Sequence, residues 1–203
     1  MKKKLLFIVN PISGIGKQKR IEKILVDYLN HDLFDYDIQY TEYIHHGTEI
    51  AKEVSLTGGY DAVVAVGGDG SVNDVVTGLY GSDITLGIIP CGSGNGLARN
   101  LKIPMNPILA VKLLNQYYTA KIDTISLNHR VFVSIAGIGF DAIVAKKMQD
   151  AKHRGLQGYA NIILNDYPNS KETEYHLVID GKEITRKAWF ISFANSNQFG
   201  YNA

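Results

Sequence analysis

The sequence predicts an α/β protein, a doubly wound and mainly parallel sheet followed by an incomplete β-rich second domain. Three observations carry that expectation. Short apolar runs alternate with segments whose apolar residues recur at helical spacing. Three of those runs end in glycine-rich turns, and past Ala120 the alternation gives way to strand pairs joined by turn residues.

The first run, Lys4 to Val9, is stopped by Asn10 and Pro11, after which Ile21, Ile24, Leu25, Tyr28 and Leu29 fall on one helical face. Between them lies NPISGIGK, Asn10 to Lys17. It is not the common nucleoside-triphosphate loop, because Pro11 and Gln18 hold the places of its first glycine and its hydroxyl. It is not a dinucleotide fingerprint either, since Lys19 stands where a third glycine belongs. Alone, this loop is weak evidence. Asp37 to Tyr40 reads as a second strand ending at Thr41, and Gly47 to Leu56 as a helix with Ile50, Ala51 and Val54 inward. His45 and His46 between them have no further ligand at helical spacing, so they are expected to be exposed loop residues.

The third run opens DAVVAVGGDGSVNDVVTGL, Asp61 to Leu79, which reads as strand, tight turn and helix. Gly67, Gly68 and Gly70 are expected to supply positive φ and to let a ligand approach the backbone. The N–H groups opening the next helix have no intrahelical partner, which suits a phosphate. Asp69 is the one side chain projecting from the turn, and a carboxylate there can hold magnesium or take a proton. A glycine pair that merely turns a buried strand into a helix would look similar; an acid framed by glycine on both sides argues for more. The fourth run, Ile84 to Ile89, ends in PCGSGNG, Pro90 to Gly96, before Leu97, Ala98 and Arg99 start a short helix. Asn106 and Pro107 cap and open another, through Asn115. A parallel sheet would set the three glycine loops along one edge, as a single phosphate-binding crevice beyond the strand ends.

A first domain is thus expected over residues 1–121 and the start of a β-rich one over 122–203. Ile122 to Leu127 and Val131 to Ala136 flank Asn128, His129 and Arg130 as a hairpin would. GIGFDA, from Gly137, leads into a helix toward Lys147, with Asp141 near its start, where it could serve as a simple cap. Gly155 to Tyr167 has a helical pattern, and Glu174 to Asp180 with Glu183 to Ala194 reads as a hairpin about Asp180 and Gly181. No closing element follows Asn195, so the sequence is expected to be a piece of a longer protein.

With 203 residues, 45% of them apolar, the chain can bury a core. A net charge of +1 leaves no electrostatic footprint for nucleic acid, and the longest like-charge block is Lys2 to Lys4. No apolar run reaches the length of a membrane span or a secretion signal, so a cytoplasmic location is expected. The single cysteine, Cys91, excludes an internal disulfide framework and a cysteine zinc site, and is expected to be buried filler. Neither Ser71 nor Ser93 has the glycine two residues before and two residues after it that a nucleophile elbow requires.

Four stretches together resemble the diacylglycerol kinase and sphingosine kinase superfamily, whose phosphate-binding domain is similar to those of phosphofructokinase and NAD kinase. They are NPISGIGK, GGDGSVNDVVTGL at Gly67 to Leu79, PCGSGNGLAR at Pro90 to Arg99, and GIGFDA. The resemblance implies an ATP-dependent, magnesium-requiring kinase acting on the hydroxyl of diacylglycerol or a sphingoid long-chain base. It implies that Asn10, Pro11, Ser13, Gly14 and Thr41 hold ATP, that Gly67, Gly68, Asp69, Gly70, Ser71 and Asn73 wrap its phosphates, and that Ser93 meets the nucleotide from the third loop. In sphingosine kinases the acid matching Asp69 is taken as the base, and the one resembling Asp141 reads the lipid headgroup. In bacterial diacylglycerol kinases the base is assigned to a C-terminal aspartate, which would lie beyond Ala203 together with the magnesium ligands, so no metal ligand is assigned here. The third loop departs from the bacterial pattern, because Gly96 follows Asn95 where that branch has aspartate. A lipid at a membrane surface is the expected partner, with a homodimer left open. A soluble-substrate kinase of NAD kinase or phosphofructokinase type, and a non-catalytic nucleotide-binding module, are the alternatives.

Overall fold

The computed structural model describes residues 1–13, 16–150 and 156–197. They divide into two compact units, the first made of Met1–Ser134 with the stretch from Asn195, the second of Ile135–Ala194.

The first unit is built on a parallel sheet of β1 (Lys3–Val9), β2 (Phe34–Tyr40), β3 (Ala62–Gly67) and β4 (Thr85–Pro90), in the order β2-β1-β3-β4. Helices α1 (Ile21–Tyr28), α2 (His46–Thr57), α3 (Asp69–Leu79), α4 (Gly96–Asn100) and α5 (Pro107–Leu114) connect or flank the strands. Alternate residues of the central strands feed two cores, as burial on both faces of a parallel sheet requires. Leu6, Ile8, Val63 and Ala65 pack with α2 and α3 through Ile50, Val54, Val72 and Val75. Leu5, Phe7, Val64 and Val66 pack on the other face with Ile21, Leu25 and Val111. Cys91 is buried in this second core. A Cβ on Gly78 would lie 2.5 Å from the Thr48 carbonyl oxygen and 2.6 Å from Ala51 Cβ, so glycine lets α3 cross α2 at close range.

The register carries the strand ends to one level. Val9 faces both Tyr40 and Val66, and Gly67 faces Pro90. Strand order switches direction at β1, which places the β1 and β3 loops side by side at the point where open α/β sheets bind ligands.

The hairpin of β5 (Ile125–Leu127) and β6 (Arg130–Phe132) was expected to open the second domain at residue 122. It packs with the first unit instead: Val131 and Val133 enter the α2–α3 core, and Asn195 Nδ2 donates to the Asp123 carbonyl at 2.6 Å. The division therefore falls after Ser134. The second strand of that hairpin is also shorter than expected, because Ile135–Gly139 leaves it as β7 to pair antiparallel with β10 (Phe190–Ala194).

In the second unit β7 runs into α6 (Phe140–Asp150), followed by α7 (Leu156–Asp166), β8 (Thr173–Ile179) and β9 (Lys182–Ala188). β8 and β9 form the expected hairpin, with Asp180 and Gly181 at φ 50° and 77°. Positive φ at both central residues makes a turn whose twist matches the strands it joins. Lys147 Nζ donates to Asp166 Oδ1 and Oδ2, both at 2.7 Å, tying α6 to α7.

Candidate functional site

At the carboxyl edge of the sheet four loops are laced together by backbone hydrogen bonds. The Asn10 N–H donates to the Val66 carbonyl (3.1 Å), Thr41 N–H to Val9 (2.9 Å), and Cys91 N–H to Gly67 (2.8 Å). Side chains reinforce them: Asn10 Nδ2 donates to Ser71 Oγ at 3.2 Å, and Asn10 Oδ1 accepts from the Ile12 N–H at 3.1 Å. The structure thus brings Asn10, Thr41, Gly67 to Ser71 and Gly92 to Asn95 to one edge.

Gly67, Gly68 and Gly92 serve close approach rather than unusual backbone angles. Gly67, Gly68 and Gly70 were expected at positive φ, and none of them adopts it. A Cβ on Gly67 would overlap Ser71 Oγ, and one on Gly92 would run into Gly68 Cα. The β3 and β4 loops touch backbone to backbone, which only glycine permits. The left-handed residue in the third loop is Asn95, at φ 52°, buried, with Oδ1 accepting the Gly92 N–H at 3.0 Å and Nδ2 donating to the Gly92 carbonyl at 2.8 Å. Its side chain closes Gly92 to Asn95 into a ring. Arg99 Nε adds a bond to the Gly94 carbonyl at 3.0 Å.

Asp69 stands exposed as the first residue of α3, and its Oδ1 accepts the Leu97 N–H at 3.3 Å. A Cβ on Gly94 would come within 3.2 Å of Asp69 Oδ2. The third loop therefore embraces this carboxylate. No side chain caps α3, so the N–H groups of its first turn are available to an acceptor. Asn73 and Ser93 are half-buried, on the first turns of α3 and within the third loop. Pro11 is exposed, and its carbonyl accepts from Gln18 Nε2 at 2.6 Å. Ser13 is buried, and Gly14 lies outside the described residues.

Among the described residues, two buried side-chain oxygens have no hydrogen-bond partner, Ser13 Oγ and Gln18 Oε1, both on the first loop. A hydroxyl with an unused proton and an uncapped helix start are donors, which fits a phosphate group. No cluster of three His, Cys, Asp or Glu able to hold a metal ion exists among the described residues. Asp69 alone fits the usual magnesium pattern, in which one or two carboxylates share the ion with phosphate oxygens. A groove of about 980 Å3 beside α1, lined in part by Arg20, Lys23, Asp27 and Tyr28, includes none of the described candidate residues.

Beyond Thr41 the second loop is also ordered by polar contacts. The Glu42 N–H donates to His46 Nδ1 at 3.1 Å, and His45 Nδ1 pairs with Asp74 Oδ1 on α3 at 3.0 Å. Tyr40, just before Thr41, donates its hydroxyl to Glu22 Oε1 on α1 at 2.6 Å; that carboxylate, with some burial, pushes the phenol up to about 12.

Asp141 belongs to the second unit, in the first turn of α6. Its Oδ2 accepts from Ser192 Oγ at 3.2 Å and Oδ1 from the Ala142 N–H at 2.8 Å. A Cβ on Gly137 would overlap that carboxylate. Sequence reading passed over Asn95, Gln18 and the Leu97 N–H. An asparagine just before a helical stretch is a signal for the first; the others have none.

A parallel α/β sheet with glycine loops meeting at its carboxyl edge is the build of a phosphate-handling α/β domain. The family model for the diacylglycerol kinase catalytic domain matches residues 4–127, and the chain belongs to that family. A diacylglycerol kinase of Mycobacterium tuberculosis is 28% identical, with 97% of this chain and 66% of the relative covered. One of Staphylococcus aureus is 31% identical, with 97% and 64% covered. A Bacillus anthracis structure provisionally assigned as a diacylglycerol kinase superposes with a TM-score of 0.76 at 26% identity, covering 97% of this chain and 67% of its own. The chain spans between 44% and 66% of the length of these and similar curated relatives. No helix among the described residues is long and apolar enough to cross a membrane.

Proposed function

We propose that this chain is the nucleotide-binding part of an ATP-dependent lipid kinase, which moves the γ-phosphoryl group to the hydroxyl of diacylglycerol or a sphingoid long-chain base. The observation that carries this reading is Asp69: a lone carboxylate held by the Leu97 N–H, with the glycine-bearing ends of β3 and β4 packed against each other beside it.

Phosphoryl transfer asks a protein mainly for positioning and charge neutralisation. The N–H groups opening α3, the Ser13 hydroxyl, Asn10, Ser71 and Ser93 would hold the phosphates of ATP, with Thr41 on the second loop. Asp69, with phosphate oxygens, would hold magnesium, which when bound neutralises charge on the β- and γ-phosphates. Alternatively Asp69 is the base: it takes the proton of the lipid hydroxyl as the hydroxyl oxygen bonds to the γ-phosphorus, and the bond from the γ-phosphorus to the β–γ bridging oxygen breaks to release ADP. Asp141 is assigned to the lipid headgroup, and the enzyme works as a peripheral protein at the surface that holds its substrate.

The intact protein, given labelled ATP and mixed micelles of diacylglycerol, of a long-chain base, or NAD in solution, tests this. Transfer to one of the lipids is expected. Transfer to NAD alone would make it a soluble-substrate kinase, and ATP binding without transfer to any acceptor would make it a regulatory module.

A further inference from the structure

We propose that the stacked pair of Tyr43, on the loop after β2, and His46, the first residue of α2, is the platform that receives the base of the nucleotide. The inference rests on the nucleotide-binding reading of the strand-end loops.

The two rings lie parallel, with centroids 4.4 Å apart and planes 6° from each other. Tyr43 is 55% exposed, yet it is held at both ends. His46 covers one face, and the phenol hydroxyl donates to Glu49 Oε2 at 2.5 Å. His46 is itself fixed by the Glu42 N–H on its Nδ1 at 3.1 Å, and its own N–H donates to the Tyr43 carbonyl at 3.3 Å. An exposed tyrosine gains little from core burial and loses rotamer freedom when pinned. Here the ring is fixed by His46 on one side while the residue stays largely exposed, which is the condition for stacking a planar group at low entropic cost.

The location suits a base. The loop begins at Thr41, whose N–H is bonded to Val9 beside Asn10, so it opens on the same sheet edge as the phosphate-binding candidates. With β1 between β2 and β3, neighbouring-strand spacing puts the end of β2 roughly 10 Å from that of β3. That separation suits a ribose and triphosphate laid between a base on the second loop and the uncapped start of α3. The ring offers no cation, and its hydroxyl is already taken by Glu49, so what it presents is a π-face and not a phosphate site.

The test uses the intact protein with ATP and, as a probe lacking a base, inorganic tripolyphosphate. Losing one base-stacking aromatic weakens binding by roughly tenfold, so Tyr43→Ala should raise the KM and Kd for ATP about tenfold and leave kcat within about twofold. Tyr43→Phe, which keeps the ring, should restore most of the affinity. Competition by tripolyphosphate should be equally strong against wild type and Tyr43→Ala. Equal weakening of ATP and tripolyphosphate, an unchanged Kd for ATP, or an effect on the lipid KM alone would each overturn the proposal. Wild-type protein that binds no ATP would remove the kinase reading with it, whereas ATP binding indifferent to Tyr43 removes only the stack.

Discussion

Asp69 and Leu97 meet across two loops, the Leu97 N–H donating to Asp69 Oδ1 at 3.3 Å. An asparagine at 69 keeps that acceptor and nearly the same shape, and removes only the capacity to take a proton or bind a cation strongly. Asp69→Asn should therefore lower kcat by about 10²–10⁴ with circular dichroism and thermal midpoint unchanged. A variant of normal rate would take Asp69 out of the chemistry.

Asn95 holds the third loop from a left-handed backbone, at φ 52°. Glycine adopts that conformation freely, whereas alanine is strained there by about 1–2 kcal/mol, and both lose the two bonds to Gly92. Urea denaturation should rank wild type above Asn95→Gly, and Asn95→Gly above Asn95→Ala by about 1 kcal/mol. Equal stability of the two variants would contradict the backbone assignment.

Gly92→Ala should be more damaging than its size suggests. The added methyl would run into Gly68 Cα and stand 2.8 Å from Asn95 Oδ1, so the β3 and β4 loops must part. Overpacking of this kind costs about 1–3 kcal/mol. Denaturation should show that loss and nucleotide titration a weaker Kd; a fully stable variant with normal affinity would mean the two loops can separate freely.

Asp37 should make a small contribution to the loss of stability in acid, from the β2 edge. The Lys4 ammonium (2.9 Å), and then the Tyr60 hydroxyl (2.8 Å), hold its carboxyl below the ordinary range. The unfolded chain binds that proton at higher pH than the folded one, so the contribution is complete above the ordinary carboxyl range and is lost as pH falls through the lowered value. Lys4 is raised, first by the hydrogen bond to Asp37, so its share is complete below the ordinary lysine range and lost as pH rises through its folded value. Urea midpoints of Asp37→Asn should fall less between pH 5 and about pH 2 than those of wild type. Parallel curves would remove Asp37 from the acid response; both partners are half-exposed, so the effect should be small.

Asp141→Asn, which keeps an acceptor for Ser192, should raise the KM for lipid and leave that for ATP unchanged if Asp141 meets the headgroup. Steady-state kinetics with each substrate varied in turn would show it, and a rise in the ATP KM alone would reassign the residue.

Local chemistry alone predicted a large part of this molecule. The apolar runs of β1 and β3 are buried on both faces, and so read as parallel strands. Asn106 caps α5 as its place before Pro107 implied, its Oδ1 accepting the Ile108 N–H at 2.9 Å. Asp180 and Gly181 make the turn their identities predict. These signals survive because each depends on residues within a few positions of one another.

What only the tertiary structure decided are the contacts that sequence spacing does not encode. The sequence pointed to the turn at Gly67, Gly68 and Gly70 and expected positive φ there, whereas Gly68 is required by its meeting with Gly92, set by the register of β3 on β4. The hold of Leu97 on Asp69 and the bond from His45 to Asp74 depend likewise on how a helix from one loop points at the start of another. The sequence determined by itself that these segments are strands, turns and helices, because propensity and burial period are local. Which side chains share an edge was decided by strand order and register, because those fix distances between residues far apart in the chain.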